Sequence, residues 1–312
     1  MPSRMQHQQL FYAHGKLLLT AEYFVLDGAL ALALPTKLGQ SLQVIENESN
    51  KIEWESFDAD GNAWFEGIFD LPFGEFENGT ELATGERLAQ IFQAIQQQKP
   101  AFFQQFQGLQ IETHLEFPRL WGLGTSSTLI ANLAQWAGIE SFTLLKNTFG
   151  GSGYDLACAT AAGPILYRLV EKRPTAHSRR TLFNAFSKQL YFVYLDKKQD
   201  SREGIARYRA KVQHQPELIN RISNLTLKYL ECENLSHFEA LIQEHEAIVA
   251  ETLELPRART LYFQDFWGEI KSLGAWGGDF VLATSDRSAE ETKFYFNTKG
   301  FETVIPYEKL IL

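Results

Sequence analysis

Phe117-Pro-Arg-Leu-Trp-Gly-Leu-Gly-Thr-Ser-Ser-Thr128 is the most informative stretch of the chain. It joins a strand-like run, Leu109 to Phe117, to a helix-like run, Thr128 to Ala137. Its centre is a glycine pair followed by hydroxyl side chains. Glycine permits positive φ and lets the backbone approach an anion closely, and the free N–H groups at a helix start point at that anion. The stretch therefore predicts a phosphate-binding turn, although neither Gly-Lys-Ser/Thr nor Gly-x-Gly-x-x-Gly is present.

The composition limits the class of protein. The chain has 312 residues and is 45% hydrophobic, enough for a substantial core in one large domain or two intimate ones. Its formal net charge of −9 disfavours a nucleic-acid partner. The two cysteines, Cys158 and Cys232, lie far apart, which favours a reduced, cytoplasmic setting over a disulfide framework. No apolar run reaches membrane-spanning length and Met1 to Gln9 lack the apolar core of a signal peptide, so no membrane partner is expected.

Hydrophobic patterning predicts an α+β fold with a β-rich N-terminal part and a helix-plus-strand C-terminal part. Two short strands are expected around a His14-Gly15 turn, and a hairpin signal lies at Asp58 to Gly61. Helical spacing is found in the later part of the chain, where a helix is expected at Phe263 to Leu273. We place a domain boundary near residue 185, which gives domains 1–185 and 186–312.

Four glycine-centred motifs, in this order and at these distances, resemble those of the GHMP kinases, the small-molecule kinases of galactose, homoserine, mevalonate and phosphomevalonate. The first motif, Gly15 to Pro35, looks like the family's Gly-Lys strand, Gly-Glu-Tyr/His turn and Ala-Leu-Ala strand. The others are Pro118 to Ser127, Gly151 to Ala157 and Gly274 to Asp279. The resemblance thus spans nearly the whole chain.

The resemblance implies a two-part fold, with an N-terminal ATP-binding part of the ribosomal S5 domain 2-like type and a C-terminal ferredoxin-like α/β part. It also implies the cofactors ATP and Mg²⁺. The chemistry would be phosphoryl transfer from ATP to a small acid or sugar, for which the protein mainly positions groups and neutralises charge. The loop that would wrap the ATP phosphates consists of Gly122, Leu123, Gly124, Thr125, Ser126 and Ser127.

Two residues of these motifs are candidates for catalysis. Asp155 follows a Ser-Gly turn and precedes an apolar helix, where an aspartate on its own is most often an N-cap. The resemblance implies that Asp155 faces the acceptor hydroxyl and accepts or orients its proton. Lys16, on its own a solvated residue of an apolar strand, resembles the family lysine that stabilises charge on the transferred phosphoryl group.

The metal site is expected to depart from the family pattern. The resemblance makes Ser126 the hydroxyl that ligates Mg²⁺, although on its own it is equally an N-cap. Mevalonate kinases carry a metal-ligating Glu eleven residues before the Asp, and this chain has Leu144 there. We therefore expect the metal to be held mostly by ATP, water and Ser126, or with the help of another carboxylate such as Glu22.

The acceptor site is also assigned by resemblance. Two positions depart from the pattern, because Ala21 stands where Gly is usual and Trp276 stands where a small residue is usual. The indole would narrow the acceptor pocket or stack on a ligand, unless it is a packing residue. Taken alone, Glu22 is an ordinary turn residue. The candidate substrate residues are Glu22, Tyr23, Ser201, Gly274, Trp276 and Gly277.

The resulting prediction is an ATP-dependent small-molecule kinase with mevalonate or phosphomevalonate as its acceptor. A sugar kinase and an ATP-dependent diphosphomevalonate decarboxylase are alternatives on the same fold. A non-catalytic nucleotide-binding regulator is the alternative from another class. Lys16 and Asp155 argue against the regulator, because a binding module needs neither. The expected partner is a small-molecule acceptor, and a homodimer is left open.

Overall fold

A computed structural model describes residues 8–178, 182–197, 201–211 and 215–312, with the backbone alone for Ser201 and Arg202. The described residues form two compact units, each built from separate stretches of the chain. These units do not follow the boundary near residue 185, and that boundary stays a prediction. Of the described residues, the first unit holds those up to Gly15, Leu38–Arg119 and Gly124–Thr160, and the second holds Lys16–Lys37, Leu120–Leu123 and those from Ala161 onward.

Strands and helices are both abundant, so the predicted α+β class is confirmed. The strands are β1 (Gln8–Leu18), β2 (Ala31–Glu46), β3 (Lys51–Phe57), β4 (Ala63–Asp70), β5 (Phe76–Gly79), β6 (Leu109–Leu115), β7 (Ile165–Val170), β8 (Arg173–Ser178), β9 (Leu190–Tyr194), β10 (Ile270–Ser272), β11 (Phe280–Thr284) and β12 (Val304–Pro306). The α-helices are α1 (Leu82–Gln98), α2 (Thr125–Ala137), α3 (Ser141–Thr148), α4 (Tyr154–Ala159), α5 (Ser201–Lys211), α6 (Pro216–Leu230), α7 (Leu235–Leu253), α8 (Ala258–Tyr262), α9 (Ala289–Thr298) and α10 (Tyr307–Leu310).

The first unit packs helices α1 to α4 against a sheet in the order β5-β4-β3-β6-β2. Strands β3 and β6 pair in parallel, and the other neighbours in this order are antiparallel. Strand β6 shows why the sequence forms this layer, since every second residue from Leu109 to Leu115 is buried. Helix α1 turns Leu88, Ile91, Phe92 and Ile95 into the same core, at the spacing of a helix with one apolar face.

The predicted hairpin between β3 and β4 is confirmed. Asp58 Oδ1 accepts hydrogen bonds from the backbone N–H groups of Asp60 at 3.0 Å and Asn62 at 2.9 Å. Gly61 adopts φ +82°, a left-handed conformation that suits glycine. Local turn chemistry therefore closes this hairpin without help from distant residues.

The second unit contains a four-stranded antiparallel sheet in the order β10-β11-β9-β12. An aromatic-rich core covers this sheet, with Phe263, Phe266 and Phe296 packed edge to face or tilted at centroid distances of 5.0–5.2 Å. In the same unit, Ala31 to Ala33 of β2 pair with β7, and β7 pairs with β8. Helices α6 and α7 carry buried polar residues that bind the first-motif segment: Thr226 of α6 donates to the Leu30 carbonyl at 2.8 Å, and His245 of α7 accepts from the Ala21 N–H at 3.1 Å.

Two sequence-based expectations about secondary structure are wrong. The helix expected at Phe263 to Leu273 is absent, because α8 ends at Tyr262 and Ile270–Ser272 form β10. Arg259 donates to the carbonyl of Phe266 at 3.1 Å. This bond helps to hold the turn that places Phe263 and Phe266 in the core. The turn expected at His14-Gly15 is instead part of β1, whose alternate residues are buried straight through this point.

Candidate active site

The glycine turn at Gly122 is shaped by its backbone and by a close carboxylate. Gly122 adopts φ +67°, and a Cβ at this position would lie 2.6 Å from Cγ and Oδ2 of Asp279. The absence of a side chain therefore serves both the left-handed conformation and the close approach. Asp279 is held in place by two backbone hydrogen bonds. Its carbonyl accepts from the Leu195 N–H at 2.8 Å, and its N–H donates to the Lys197 carbonyl at 2.6 Å.

Helix α2 begins at the hydroxyl run in the first unit, as the sequence predicts. Its N-cap is Gly124 in the left-handed region at φ +95°, a residue with no side chain to cap the helix. The Gly124 carbonyl accepts from the N–H groups of Ser127 and Thr128 at 3.0 and 3.1 Å. Thr128 Oγ1 also donates to the Gln40 side chain at 2.6 Å and so fixes the helix start to β2. This start is the kind that binds anions.

Asp155 lies beside the hydroxyl run. It is the second residue of α4, and its Oδ2 accepts a hydrogen bond from the buried Ser127 hydroxyl at 2.8 Å. Ser126, one residue earlier, is exposed. Asp155 Oδ1 also accepts from the Leu156 N–H at 3.1 Å. The first unit therefore brings Asp155 together with the start of α2, while Thr125 and Ser126 stay accessible at that start.

Lys16 contacts the glycine turn within the second unit. Its Nζ donates to the Gly122 carbonyl at 3.0 Å, and its backbone N–H donates to the Leu123 carbonyl at 2.8 Å. The side chain is half-buried on the less buried face of β1. Lys16 is therefore fixed to the predicted phosphate loop by both its main chain and its side chain.

Glu22 is held inside the second unit. Its side chain is fully buried, its Oε1 lies 2.5 Å from Lys271 Nζ, and its Oε2 lies 3.2 Å from His245 Nε2. Burial raises the pKa of the Glu22 carboxyl, and the Lys271 ammonium acts in the opposite direction. The groups that hold Glu22 are thus protein side chains, and its contact with a substrate stays a prediction.

Tyr23 packs on helix α5. Its ring stacks on Tyr208 at a centroid distance of 6.0 Å, and Tyr208 donates from its hydroxyl to Asp27 at 2.7 Å. A Cβ on Gly204 would overlap the Tyr23 hydroxyl, which explains a glycine inside this helix. Ser201 is the first residue of α5, and its side chain lies outside the described residues.

The third glycine motif forms a turn between β10 and β11. Gly274 and Gly277 adopt φ +61° and +102°, which an L-residue would adopt only under strain. Trp276 is 3% exposed, and its Nε1–H has no hydrogen-bond partner among the described side chains and backbone. The indole thus fills space inside the second unit, and its role toward a substrate stays a prediction.

The metal candidates give a sparse ligand set. Leu144, at the position of the family's Glu, is buried in the core of the first unit. Glu140 accepts from the N–H groups of Phe142 and Thr143 and so caps α3. Among the described residues no group of three or more His, Cys, Asp or Glu side chains is placed to hold a metal ion. The Ser126 side chain is exposed, and its role as a ligand of Mg²⁺ stays a prediction.

Sequence reasoning missed four residues of these arrangements. Asp279 closes the last motif but was not singled out, although its position next to the glycine pair is a signal. Lys271, His245 and Glu246 belong to the buried network around Glu22 and Ser272. Their side chains are separated from Glu22 by more than 220 positions, and no local pattern marks such a contact.

No family model matches the sequence, and no curated protein matches it. The structure, in contrast, is similar to solved structures over nearly its whole length. Each helix in the described part of the chain is too short or too polar to cross a membrane.

Three of the similar structures are kinases of small molecules. Methanococcus jannaschii mevalonate kinase is 16% identical, with 96% of this chain and 97% of that chain covered at a TM-score of 0.71. Streptococcus pneumoniae phosphomevalonate kinase, in complex with phosphomevalonate and AMPPNP, is 17% identical, with 95% and 99% covered at 0.70. Lactococcus lactis galactokinase, in complex with galactose, is 15% identical, with 94% and 88% covered at 0.64. The chain therefore has the fold of the GHMP kinases.

Proposed function

We propose that the protein is an ATP-dependent small-molecule kinase. The observation that carries the proposal is the hydrogen bond between Ser127 and Asp155, because it sets a carboxylate beside a glycine-capped helix start. A helix start of this kind suits an anionic phosphate, and a nearby carboxylate suits the proton of an acceptor hydroxyl. The fold shared with mevalonate kinase, phosphomevalonate kinase and galactokinase supports the same assignment.

The residues of the chain take distinct roles in this account. The N–H groups of Thr125 and Ser126 and the hydroxyl of Thr125 bind phosphate oxygens at the start of α2. Gly122 and Gly124 keep side chains away from that anion. With a hydroxyl acceptor such as mevalonate, Asp155 orients the hydroxyl and takes its proton as the oxygen attacks the γ-phosphorus and the bond from the γ-phosphorus to ADP breaks. With phosphomevalonate the attacking atom is a phosphate oxygen, and Asp155 would orient the acceptor without taking a proton. Lys16 places a positive charge at the Gly122 carbonyl, where it stabilises negative charge on the phosphates.

The proposed reaction uses Mg²⁺ that is bound mainly by ATP. When bound, the cation neutralises charge on the β- and γ-phosphates. Ser126 would contribute its exposed hydroxyl, while Leu144 contributes nothing. Magnesium commonly keeps several water ligands and binds through one or two protein groups together with substrate phosphates. The residues present are compatible with that mode.

We favour mevalonate or phosphomevalonate as the acceptor. The motifs at Gly15 to Pro35 and at Gly151 to Ala157 resemble those of mevalonate and phosphomevalonate kinases, and both of these enzymes share the fold. A sugar acceptor is the second candidate, supported by the similarity to a galactokinase structure. Decarboxylation of diphosphomevalonate and a purely regulatory role remain alternatives from the sequence. The cytoplasmic location and a homodimer stay predictions.

The test is ADP release from ATP and Mg²⁺ with mevalonate, phosphomevalonate, diphosphomevalonate and galactose as separate acceptors. Phosphorylated product should form with one of the first two acceptors and be seen by mass spectrometry. Carbon dioxide release with diphosphomevalonate would identify a decarboxylase instead. ATP binding without turnover on any of the four acceptors would count against a kinase of this type and favour the regulator.

A further inference from the structure

The turn of the first motif has an unusual backbone. Ala21 at φ +66° and Tyr23 at φ +64° both have a positive φ, which residues other than glycine rarely adopt. They flank Glu22, and all three residues are buried. A conformation of this kind persists only where its surroundings over-determine it. The packed neighbours of the turn must therefore hold it in place.

His245 of helix α7 holds one end of this turn. Its Nε2 accepts a hydrogen bond from the Ala21 N–H at 3.1 Å. An Nε2 that accepts this bond carries no proton, so its 3.2 Å approach to Glu22 Oε2 is not an ion pair. Burial and the Lys271 charge lower the pKa of His245 well below its usual value, in agreement with a neutral ring.

Glu246, the next residue of α7, holds the strand that leads into the third motif. Its two oxygens contact Ser272, with 3.0 Å to the backbone N–H and 3.1 Å to the hydroxyl. Ser272 ends β10, two residues before Gly274. Lys271, one residue earlier, donates both to Glu22 and to the Ser272 carbonyl at 3.0 Å. Consecutive residues of one helix thus bind the first motif and the strand that leads into the third.

We propose that helix α7 is a brace that fixes the first-motif turn and the third-motif loop in one arrangement, with His245 and Glu246 as its positioning residues. The two segments carry Tyr23, Gly274, Trp276 and Gly277, which we assign to the acceptor. The catalytic consequence of the brace rests on the proposed kinase function. Its effect on the backbone does not, because it follows from contacts within the second unit.

If α7 acts as this brace, the hydrogen-bonding atoms of His245 and Glu246 fix the two segments, and the bulk of these side chains alone does not. His245→Gln keeps an acceptor near the position of Nε2, whereas His245→Leu keeps bulk and loses the acceptor. Glu246→Gln keeps a carbonyl oxygen and adds a donor for Ser272, whereas Glu246→Leu leaves the Ser272 N–H and hydroxyl without a partner. Leu241→Ala is the matched control, since Leu241 is a buried residue of the same helix and its apolar side chain makes no hydrogen bond to the Ala21 or Ser272 backbone.

Amide hydrogen exchange on the full-length protein tests the brace without any substrate. In His245→Leu the Ala21 amide should exchange at least tenfold faster than in the wild type, and in Glu246→Leu the Ser272 amide should do the same. The glutamine variants should stay near the wild type. Leu241→Ala should lower overall stability without accelerating exchange at the Ala21 and Ser272 amides more than at other buried amides. The proposal would be overturned if the Ala21 and Ser272 amides exchanged as fast in Leu241→Ala as in the leucine variants. It would also be overturned if the glutamine variants accelerated this exchange as much as the leucine variants.

Steady-state kinetics separate this proposal from the proposed function. The leucine variants should raise KM for the acceptor at least tenfold while KM for ATP changes less than threefold, and the glutamine variants should restore the acceptor KM. A wild-type protein that transfers no phosphoryl group but shows the expected exchange pattern would refute the kinase and keep the brace. A wild-type kinase whose leucine variants leave the acceptor KM unchanged would refute the catalytic role of the brace.

Discussion

The Lys271 ammonium lies 2.5 Å from Oε1 of Glu22, and both side chains are fully buried. This pair joins the first motif to the strand before the third across 249 positions of sequence. A buried charge without its partner is expensive, whereas a buried pair can often be replaced by neutral groups of similar size. The pair is therefore a determinant of how the second unit folds.

Lys271→Met should destabilise the protein by about 3–5 kcal/mol, because it leaves Glu22 buried without a cation. Adding Glu22→Gln should recover at least half of that loss. Urea denaturation of the single and double variants, followed by circular dichroism, gives both values. A double variant as unstable as the sum of the two single variants would contradict the assigned pairing.

The dependence of the free energy of unfolding on pH should reveal the titration of the buried Glu246 carboxyl. Burial raises the pKa of its carboxyl from 4.5 to about 8, with the Lys271 charge opposing the shift. Because the folded state holds this proton more tightly, the stabilisation is complete below pH 4.5 and lost as the pH rises to about 8. The free energy of unfolding should therefore fall by up to about 1.4 kcal/mol per pH unit in this range from this group alone.

Glu246→Gln provides the control for that pH effect. The amide does not titrate, so the stability of the wild type relative to Glu246→Gln should decline between pH 5 and pH 9, read from urea midpoints at each pH. His245 acts in the opposite sense, because its lowered pKa reduces stability as the pH falls below 6.5, and this loss should persist in the variant. A constant difference between the two proteins would show that Glu246 does not hold the extra proton.

Gly122→Ala should weaken ATP binding at least tenfold. The new Cβ would meet the Asp279 carboxyl at 2.6 Å, so the glycine turn or Asp279 must shift. Gly61→Ala is the matched control, because Gly61 also has positive φ but nothing lies within 4 Å of its added Cβ. Both variants should lose about 1 kcal/mol of stability from the left-handed backbone, and calorimetric titration with an ATP analogue should separate them. Equal affinities would mean that the contact with Asp279 does not shape the nucleotide site.

Lys16→Met should lower kcat about 100-fold or more, because it removes the charge that stabilises the transferred phosphoryl group. Lys37→Met is the comparison, since Lys37 also donates to a backbone carbonyl, that of Glu308 at 2.7 Å, but lies outside the proposed phosphate loop. Turnover by Lys37→Met should stay within about twofold of the wild type. If Lys16→Met retained wild-type turnover, the catalytic assignment of Lys16 would be withdrawn.

Local patterns in the sequence predicted much of this fold. The apolar face of α1, the hairpin at Asp58 and the start of α2 after Gly124 all depend on residues within a few positions of one another. The same holds for the strand alternation of β6. Such features are visible in sequence because spacing and turn chemistry act over short distances.

Features set by distant contacts could not be predicted in this way. Phe263 and Phe266 have spacing that suits a helix, but packing against Phe296 places them in a turn. His245 has no neighbouring ligand pattern, and its bond to the Ala21 N–H depends on the packing of α7. In the candidate site, the motifs located Asp155 and Lys16, whereas the bonds to Ser127 and Gly122 required the structure.

The most direct measurement is the turnover of Asp155→Asn with mevalonate, or with another acceptor whose hydroxyl the wild type phosphorylates, together with its affinity for an ATP analogue. Asparagine keeps the size of the side chain and an acceptor for the Ser127 hydroxyl but cannot take the proton of the acceptor hydroxyl. We predict that kcat falls by about 10²–10⁴-fold while the affinity for the ATP analogue stays within about threefold. Turnover close to that of the wild type would contradict the account.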